Sequence, residues 1–527
     1  MPVLSTPEPI ILTFGGGLNT RRRPHDIDIN ECTAGENFDL DPQQAAMTKR
    51  AAFDLVATAP NGQSIDGYAQ LVKRDGSTTT LIQAGTTVYE WDHSTTFTSR
   101  GTVTAGAKLR GPREHNFTLD EYVIITDLTL TEVVKKWDGT TFADLAHNLT
   151  GTFKAKYCRV HQERAFYGNV VNSSSNLPHV IVGSELEDAE NLSVSTRPAN
   201  VTVLTDPFFV TTLDLRPINA LEQAFGTLVI STKRGRIFRL AGSNALDFEV
   251  QEFFPGAAVN GDEAVVNIGN DIAIGLPARI EALSGVLNYG DVESDDLTLP
   301  IANLIETVTE WTLAYDRRRK LLYAFPEDRG MVFVLHKKFI DSQSSVSPWS
   351  KWTTGHASNF QPTCVIPIID PVSGLDRMYF GDSLGHLFRF DGAGADDGGT
   401  TNFTSSRTSG LIRGLPQGEV FEVEGWITYK KQFAATVTLT FLFAGYTVFD
   451  KSLTVTLPAS DTVAVYNGSD YYDLSSYYGA NFSERLVRQK FGPPGMESWF
   501  QVKIDVESEG AVEIHEIGLQ FRSAADQ

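Results

Sequence analysis

The residues that could do chemistry in this 527-residue chain fall into a few short constellations, and none has the partners that its chemistry needs. Gly15-Gly16-Gly17 follows the strand-like run Ile10-Ile11-Leu12-Thr13-Phe14 as a phosphate-cradling loop would, but no Gly-Lys-Ser/Thr comes after it and no βαβ unit surrounds it, so a turn is expected. Asp26, Asp28 and Asn30 alternate like the start of a calcium loop, yet the required glycine and closing glutamate are missing. Glu293-Ser294-Asp295-Asp296 and Asp396-Asp397 are acidic loops of the kind that is usually solvated. Cys158 and His161 stand three apart, which on a strand sets them on opposite faces and spoils a nucleophile-base pair. A glycosidase would need two carboxylates roughly 5–10 Å apart, and Asp127, Asp316 and Asp382 lie on separate units that nothing in the sequence joins. Cys32, Cys158 and Cys364 show no metal-ligand spacing, and an odd number argues for reduced, buried thiols. No catalytic residue, cofactor or metal is assigned, and a non-enzymatic protein is expected.

The elements that would carry any site are set by a repeat. Val88-Tyr89-Glu90-Trp91-Asp92 with Phe97 returns as Val134-Lys135-Lys136-Trp137-Asp138 with Phe142, and in shorter form around Leu240 and Phe390. The intervals between the anchors are 46 (137 − 91), 103 (240 − 137) and 150 (390 − 240), close to one, two and three units of about 50 residues, the length of a propeller blade. Hairpin signals precede each anchor, and weaker units are placed at Ala165-Phe166-Tyr167 with Val180-Ile181-Val182, from Ile280 to Tyr289, and at Leu321-Leu322-Tyr323 with Val332-Phe333-Val334-Leu335. The expectation is an all-β chain: an N-terminal arm over 1–55, a β-propeller of about seven blades (six to eight fit) over 56–400, and a C-terminal β-sandwich over 401–527.

The sandwich follows from strict alternation. Val437, Leu439, Phe441 and Phe443 share one face, as do Phe500, Val502, Ile504 and Val506, while the three-residue step from Ile514 to Ile517 breaks phase and predicts a bulge. A hydrophobic content of 41% suffices for more than one core. No run is long and apolar enough to insert in a membrane, and no secretory leader is read at the N-terminus, so synthesis and folding in a cytoplasm are expected. Sequons such as Asn116-Phe117-Thr118 are read as ordinary Ser/Thr-rich composition. The net charge of −21 disfavours binding to nucleic acid; acidic walls repel passing DNA, as a conduit requires, although acidity also simply maintains solubility.

Two segments read as contact surfaces. Tyr471, Tyr472, Tyr477 and Tyr478, with small polar neighbours, suit an adaptable interface with protein or sugar, or a loop packed on its own domain. Arg21, Arg22 and Arg23, on an acidic chain, suit an electrostatic anchor or a solvated turn.

The N-terminal region also carries a resemblance. Phe14-Gly15-Gly16-Gly17-Leu18-Asn19-Thr20, then Asn37-Phe38-Asp39, then Met47-Thr48-Lys49-Arg50 is similar to the opening of tailed-bacteriophage tail hub and nozzle proteins, and Ser347-Pro348-Trp349-Ser350-Lys351-Trp352 followed by Gly381 to Asp391 resembles that family's last blades. The resemblance implies a structural virion protein without cofactor: a propeller with an appended β-domain, assembled as a homo-oligomeric ring, commonly a hexamer. Such a ring sits below the portal and its adaptor in the virion tail and extends or closes the path of double-stranded DNA during retention and ejection. It also implies an assembly role for the arm, including Phe14, Gly15 and Gly16, so that deleting 1–50 would block incorporation and leave a soluble propeller. The competing expectation is a sugar-binding or glycan-cleaving propeller, such as a receptor-binding protein, using the tyrosine-rich loop. A WD-like scaffold shares the fold but leaves the arm unexplained.

Overall fold

All four repeat anchors occupy the same strand of their blades. Trp91 ends Thr87–Trp91, Trp137 ends Lys135–Trp137, Leu240 lies on Ile237–Ala241 and Phe390 on His386–Gly392, each the third strand of a four-stranded antiparallel unit. Both tryptophans are buried and donate their indole N–H inside the ring, Trp91 to the Ser94 carbonyl (2.8 Å) and Trp137 to Thr79 Oγ1 of the preceding blade (2.9 Å). A tryptophan at this position both fills the core and closes a polar bond, whereas Leu240 and Phe390 are buried there without one, so burial is the demand that all four share.

The computed structural model describes residues 10–41, 46–111, 121–173, 175–254, 258–285, 292–327, 330–341, 346–353, 362–392, 396–398, 401–415, 421–431, 435–443, 451–457, 482–484, 498–508 and 512–523. The protein is a seven-bladed β-propeller joined to a β-sandwich. Blades 1 to 6 run from Ile65–Val72 to Phe97–Thr102, Leu109–Arg110 to Phe142–Asp144, Phe153–His161 to Phe208–Thr211, Ile218–Ala224 to Glu249–Phe254, Val265–Asn267 to Val292–Asp296, and Trp311–Asp316 to Trp349–Thr353. Blade 7 takes Cys364–Ile369, Asp376–Gly381 and His386–Gly392, and its outer strand is Ala52–Thr58 from the far end of the chain. This exchange closes the circle by building one blade from both ends of the propeller's chain.

Neighbouring blades are stitched by side-chain amides standing in for backbone. Gln70 of blade 1 both accepts from Ile369 N (2.8 Å) and donates to Ile369 O (2.7 Å) of blade 7, and Gln83 does the same to Leu109 N and Ala107 O at blade 2. Asn169, Asn219 and Asn260 each donate to a main-chain carbonyl of the next unit, Ile218, Val259 and Thr309. Amides bonded this way link neighbouring blades through uncharged side chains. Because strands alternate in direction, one face of the propeller carries the first-to-second and third-to-fourth turns, and the other carries the second-to-third turns and the connections between blades.

The segment expected as a separate arm is instead part of the sandwich. Ile10–Thr13 and Ala46–Lys49 pair with Val512–Ser523, and Cys32–Glu36 pairs with Ser405–Ser409, so both chain ends build the two six-stranded sheets. The reason is edge protection: Ala46–Lys49 and Phe38–Asp41 extend one sheet and Cys32–Glu36 the other, placing Leu12, Phe38 and Met47 in the same core as Val437, Leu439, Val502, Ile504 and Leu519. Register slips by one residue where Thr428 and Tyr429 face Glu516 and Ile514, the bulge expected from the phase break. No helix among the described residues is long and apolar enough to cross a membrane.

Candidate functional site

Propellers present their inner strands to a central axis, and here the axis is occupied by paired charges. Arg110, on the first strand of blade 2, reaches across to Glu263 just before blade 5 and donates from Nε and Nη2 to both carboxylate oxygens (2.7 and 2.9 Å). Its remaining nitrogen donates to the Asp66 and Leu109 carbonyls, and its plane lies over the Tyr68 ring. Beside it, Arg159 of blade 3 pairs with Glu222 of blade 4 (3.0 Å), while Lys156 and the Tyr157 hydroxyl donate to Asp262 (2.6 and 3.1 Å). Three cations face three carboxylates.

Burial works against the Arg110 charge, and the neighbouring Cys364 and Glu263 outweigh it and raise its pKa above the ordinary guanidinium value. Burial pushes the Tyr68 phenol above its usual range and the Cys364 thiol up to about 12. A neutral phenol and thiol beside a charge-balanced set supply neither a nucleophile nor a free acid-base pair. The arrangement acts as a cross-bolt between opposite blades, and a bidentate Arg-carboxylate pair is the geometry suited to that.

The carboxylates considered for glycoside chemistry are spent on turns. Asp127 accepts from the backbone N–H groups of Lys108, Thr129, Thr131 and Glu132, Asp382 from Leu384 and His386, and Asp316 from Arg319. Asp382 also receives His386 Nδ1 (2.8 Å). Each fastens its own blade, which keeps them on separate units. Cys158 is buried and its thiol is pushed up to about 12 by that burial, while burial lowers the pKa of His161. Asp28 caps its own turn through Asn30 N (2.8 Å), and Asn30 accepts from Thr13 Oγ1.

A second cluster, unforeseen in the sequence, joins the sandwich to the propeller. Arg50, with its side chain wholly buried, donates Nη1 and Nη2 to the two oxygens of Asp397 (2.9 and 2.6 Å), Nε to Asn37 (3.0 Å), and further bonds to the Ala51 and Thr353 carbonyls. Phe53 and Phe403 sandwich the guanidinium at 4.1 and 3.8 Å. Asp397 thus serves as an internal counter-ion where a solvated acidic loop was expected. Asn37 also accepts from Thr353 N (2.8 Å), and Trp352 donates its indole N–H to Phe38 O (3.0 Å).

Gly17 lies so close to blade 6 that a Cβ would stand 2.1 Å from Trp349 O. This contact, with Leu18 N bonded to the same carbonyl (2.7 Å), explains the glycine at position 17. Among the residues expected at an interface, Phe14 and Gly16 are buried inside the chain, Phe14 beneath the Arg407 guanidinium, and so are withdrawn from contact with a partner. Gly15 is half-buried, Arg21, Arg22 and Arg23 are exposed beside Pro300, whose carbonyl accepts from Arg21 N, and Tyr471, Tyr472, Tyr477 and Tyr478 lie outside the described residues. Removing residues 1–50 would strip strands from both sandwich sheets along with Arg50, so that deletion does not separate assembly from folding.

No protein-family model matches the chain, and no curated protein matches it. Solved structures with a similar fold include the WD40 domain of coronin from Toxoplasma gondii (10% identity, 68% of this chain and 86% of that one, TM-score 0.38) and YCF48 from Cyanidioschyzon merolae (11%, 64% and 98%, TM-score 0.38). Virginiamycin B lyase from Staphylococcus aureus is similar at 9% identity over 63% of this chain and 96% of that chain, TM-score 0.37. These likenesses concern the fold alone.

Proposed function

We propose that this chain is a structural subunit of a bacteriophage tail, a hub or nozzle protein that forms a ring, commonly of six copies, around the path of DNA, and that it works through its surfaces without a catalytic step. The observation that supports this reading most is where the family-like motif residues lie. Gly17, Asn37, Asp39 and Arg50 are the residues that fasten sandwich to propeller, Asp39 through Arg319 (2.7 Å), so the motif encodes a rigid two-part body suited to bearing load. The Arg110–Glu263 bolt crosses the propeller axis, so a DNA path would run between subunits. Six copies would surround it with a formal charge of −126 (6 × −21), which repels the phosphate backbone and favours sliding over sticking. Immunogold labelling of purified tailed particles tests the reading: label at the tail below the head supports it, and label confined to unassembled protein removes it.

A further inference from the structure

Blades 3 and 4 carry two exposed apolar patches at opposite ends of the same strands, and the patches have opposite charge. On the face of the interblade connections, Leu213 and Leu215 are 65% and 64% exposed and stand with exposed Arg216, Pro217, Lys233 and Arg234. Main-chain bonds hold them as one surface: Lys233 N to Pro217 O (2.8 Å) and Arg234 N to Val259 O (3.1 Å). The half-exposed Asp214 carboxylate stands among them, accepting from Thr232 Oγ1 (2.7 Å), so three cations and one carboxylate surround the two leucines and the patch is net positive.

On the other face, Leu186, Val203, Leu204 and Leu246 are exposed together. Leu186 N bonds Thr205 O (3.1 Å) and Ala245 N bonds Leu204 O (3.3 Å), so the blade 3 loop and the blade 4 turn form one platform. Buried Arg164 braces it from below by donating to the Leu204, Asp206 and Ser184 carbonyls. Glu163, Asp188 and Asp247 are exposed around it, and Glu187 is half-exposed. Large aliphatics clustered within a charged rim mark an interaction surface, and the sign of the rim selects its partner.

We infer that a second copy of this chain covers each patch, the basic leucine patch of one copy seating on the acidic aliphatic patch of the next. One copy cannot bring its two faces together, whereas successive copies can, and the contact is heterologous: it propagates into a ring or a filament instead of stopping at a two-fold dimer. The inference rests on the ring reading above and names the surfaces that would make the ring.

Sedimentation velocity of the full chain over a concentration series tests it. The wild type is expected to grow past the dimer with rising concentration and to shrink with added salt. Leu213→Asp with Leu215→Asp, and separately Val203→Lys with Leu204→Lys, should each weaken self-association at least about tenfold. Mixing the two variants should restore a one-to-one pair, since one intact face of each kind remains and the restored contact cannot propagate. Calorimetry on each variant checks that the fold survives, and Lys233→Glu with Arg234→Glu, confined to exposed side chains, repeats the test without touching the leucines. A wild type that stays monomeric, variants that associate like wild type, or a mixture of folded variants that stays monomeric would overturn the inference. Failure here with the chain found in tails sinks only this contact; head-to-tail association with the chain absent from tails sinks only the tail reading.

Discussion

Replacing Asp397 by asparagine should loosen the joint between sandwich and propeller more than any surface substitution. The change keeps size and shape but removes the counter-charge of a guanidinium whose side chain is 0% exposed, and it turns one acceptor into a donor facing Arg50. Burial already lowers the Arg50 pKa, with Asp397 as the main opposing influence, so losing that carboxylate leaves a desolvated cation held by three neutral carbonyl oxygens. Breaking a buried pair in this way costs about 3–5 kcal/mol. At about 2–4 °C per kcal/mol for a unit of this size, the calorimetric transition that includes the joint should fall by about 6–20 °C. The double variant Arg50→Met with Asp397→Leu removes both charges from an aromatic surround and should recover much of the loss. A fall of less than about 2 °C for Asp397→Asn, or a double variant whose loss equals the sum of the singles, would refute the reasoning.

Glu263→Gln should lower stability by about 1–3 kcal/mol, a smaller effect because Arg110 and Glu263 are partly exposed, and the double variant with Arg110→Met should cost less than the singles combined; chemical unfolding measures both. His336 is buried against Ser350 Oγ (3.0 Å), and burial lowers its pKa to about 4. Its folded form is neutral, so stability is full above the ordinary value near pH 6.5, falls on acidification toward pH 4 as only the unfolded chain takes the proton, and levels below; His336→Gln should flatten that slope by on the order of 3 kcal/mol, read from urea midpoints across the range. Cys32, Cys158 and Cys364 are buried, with thiols pushed up to about 11, 12 and 12 by burial, so a thiol reagent should titrate none of the three in the native protein and all of them after denaturation.

Blade count was legible because the third strand repeats a physical demand, a large buried aromatic or leucine before a polar turn, at a constant interval; Trp91, Trp137, Leu240 and Phe390 mark blades 1, 2, 4 and 7, one, two and three blades apart. The sandwich alternation and its bulge were legible for the same reason, a period of two imposed by a buried face. The joint was not. Arg50 and Asp397 are 347 residues apart, and each looks locally like surface composition: a basic step after a strand and an acidic low-complexity turn. The axial pair was equally silent, because Arg110 and Glu263 stand singly on short segments 153 residues apart and meet only once the ring closes. Strand order also hid the fate of the N-terminal residues, since local pattern identifies Ile10–Thr13 and Cys32–Glu36 as strands without saying that their partners lie at the far end of the chain.

Quantitative mass spectrometry of purified tailed particles, counting this chain against the major capsid protein, tests the central proposal most directly. About six or about twelve copies per particle are expected, retained after the DNA has left, as a symmetric tail ring requires. Its absence from particles, or a trace amount without fixed ratio, would contradict the account.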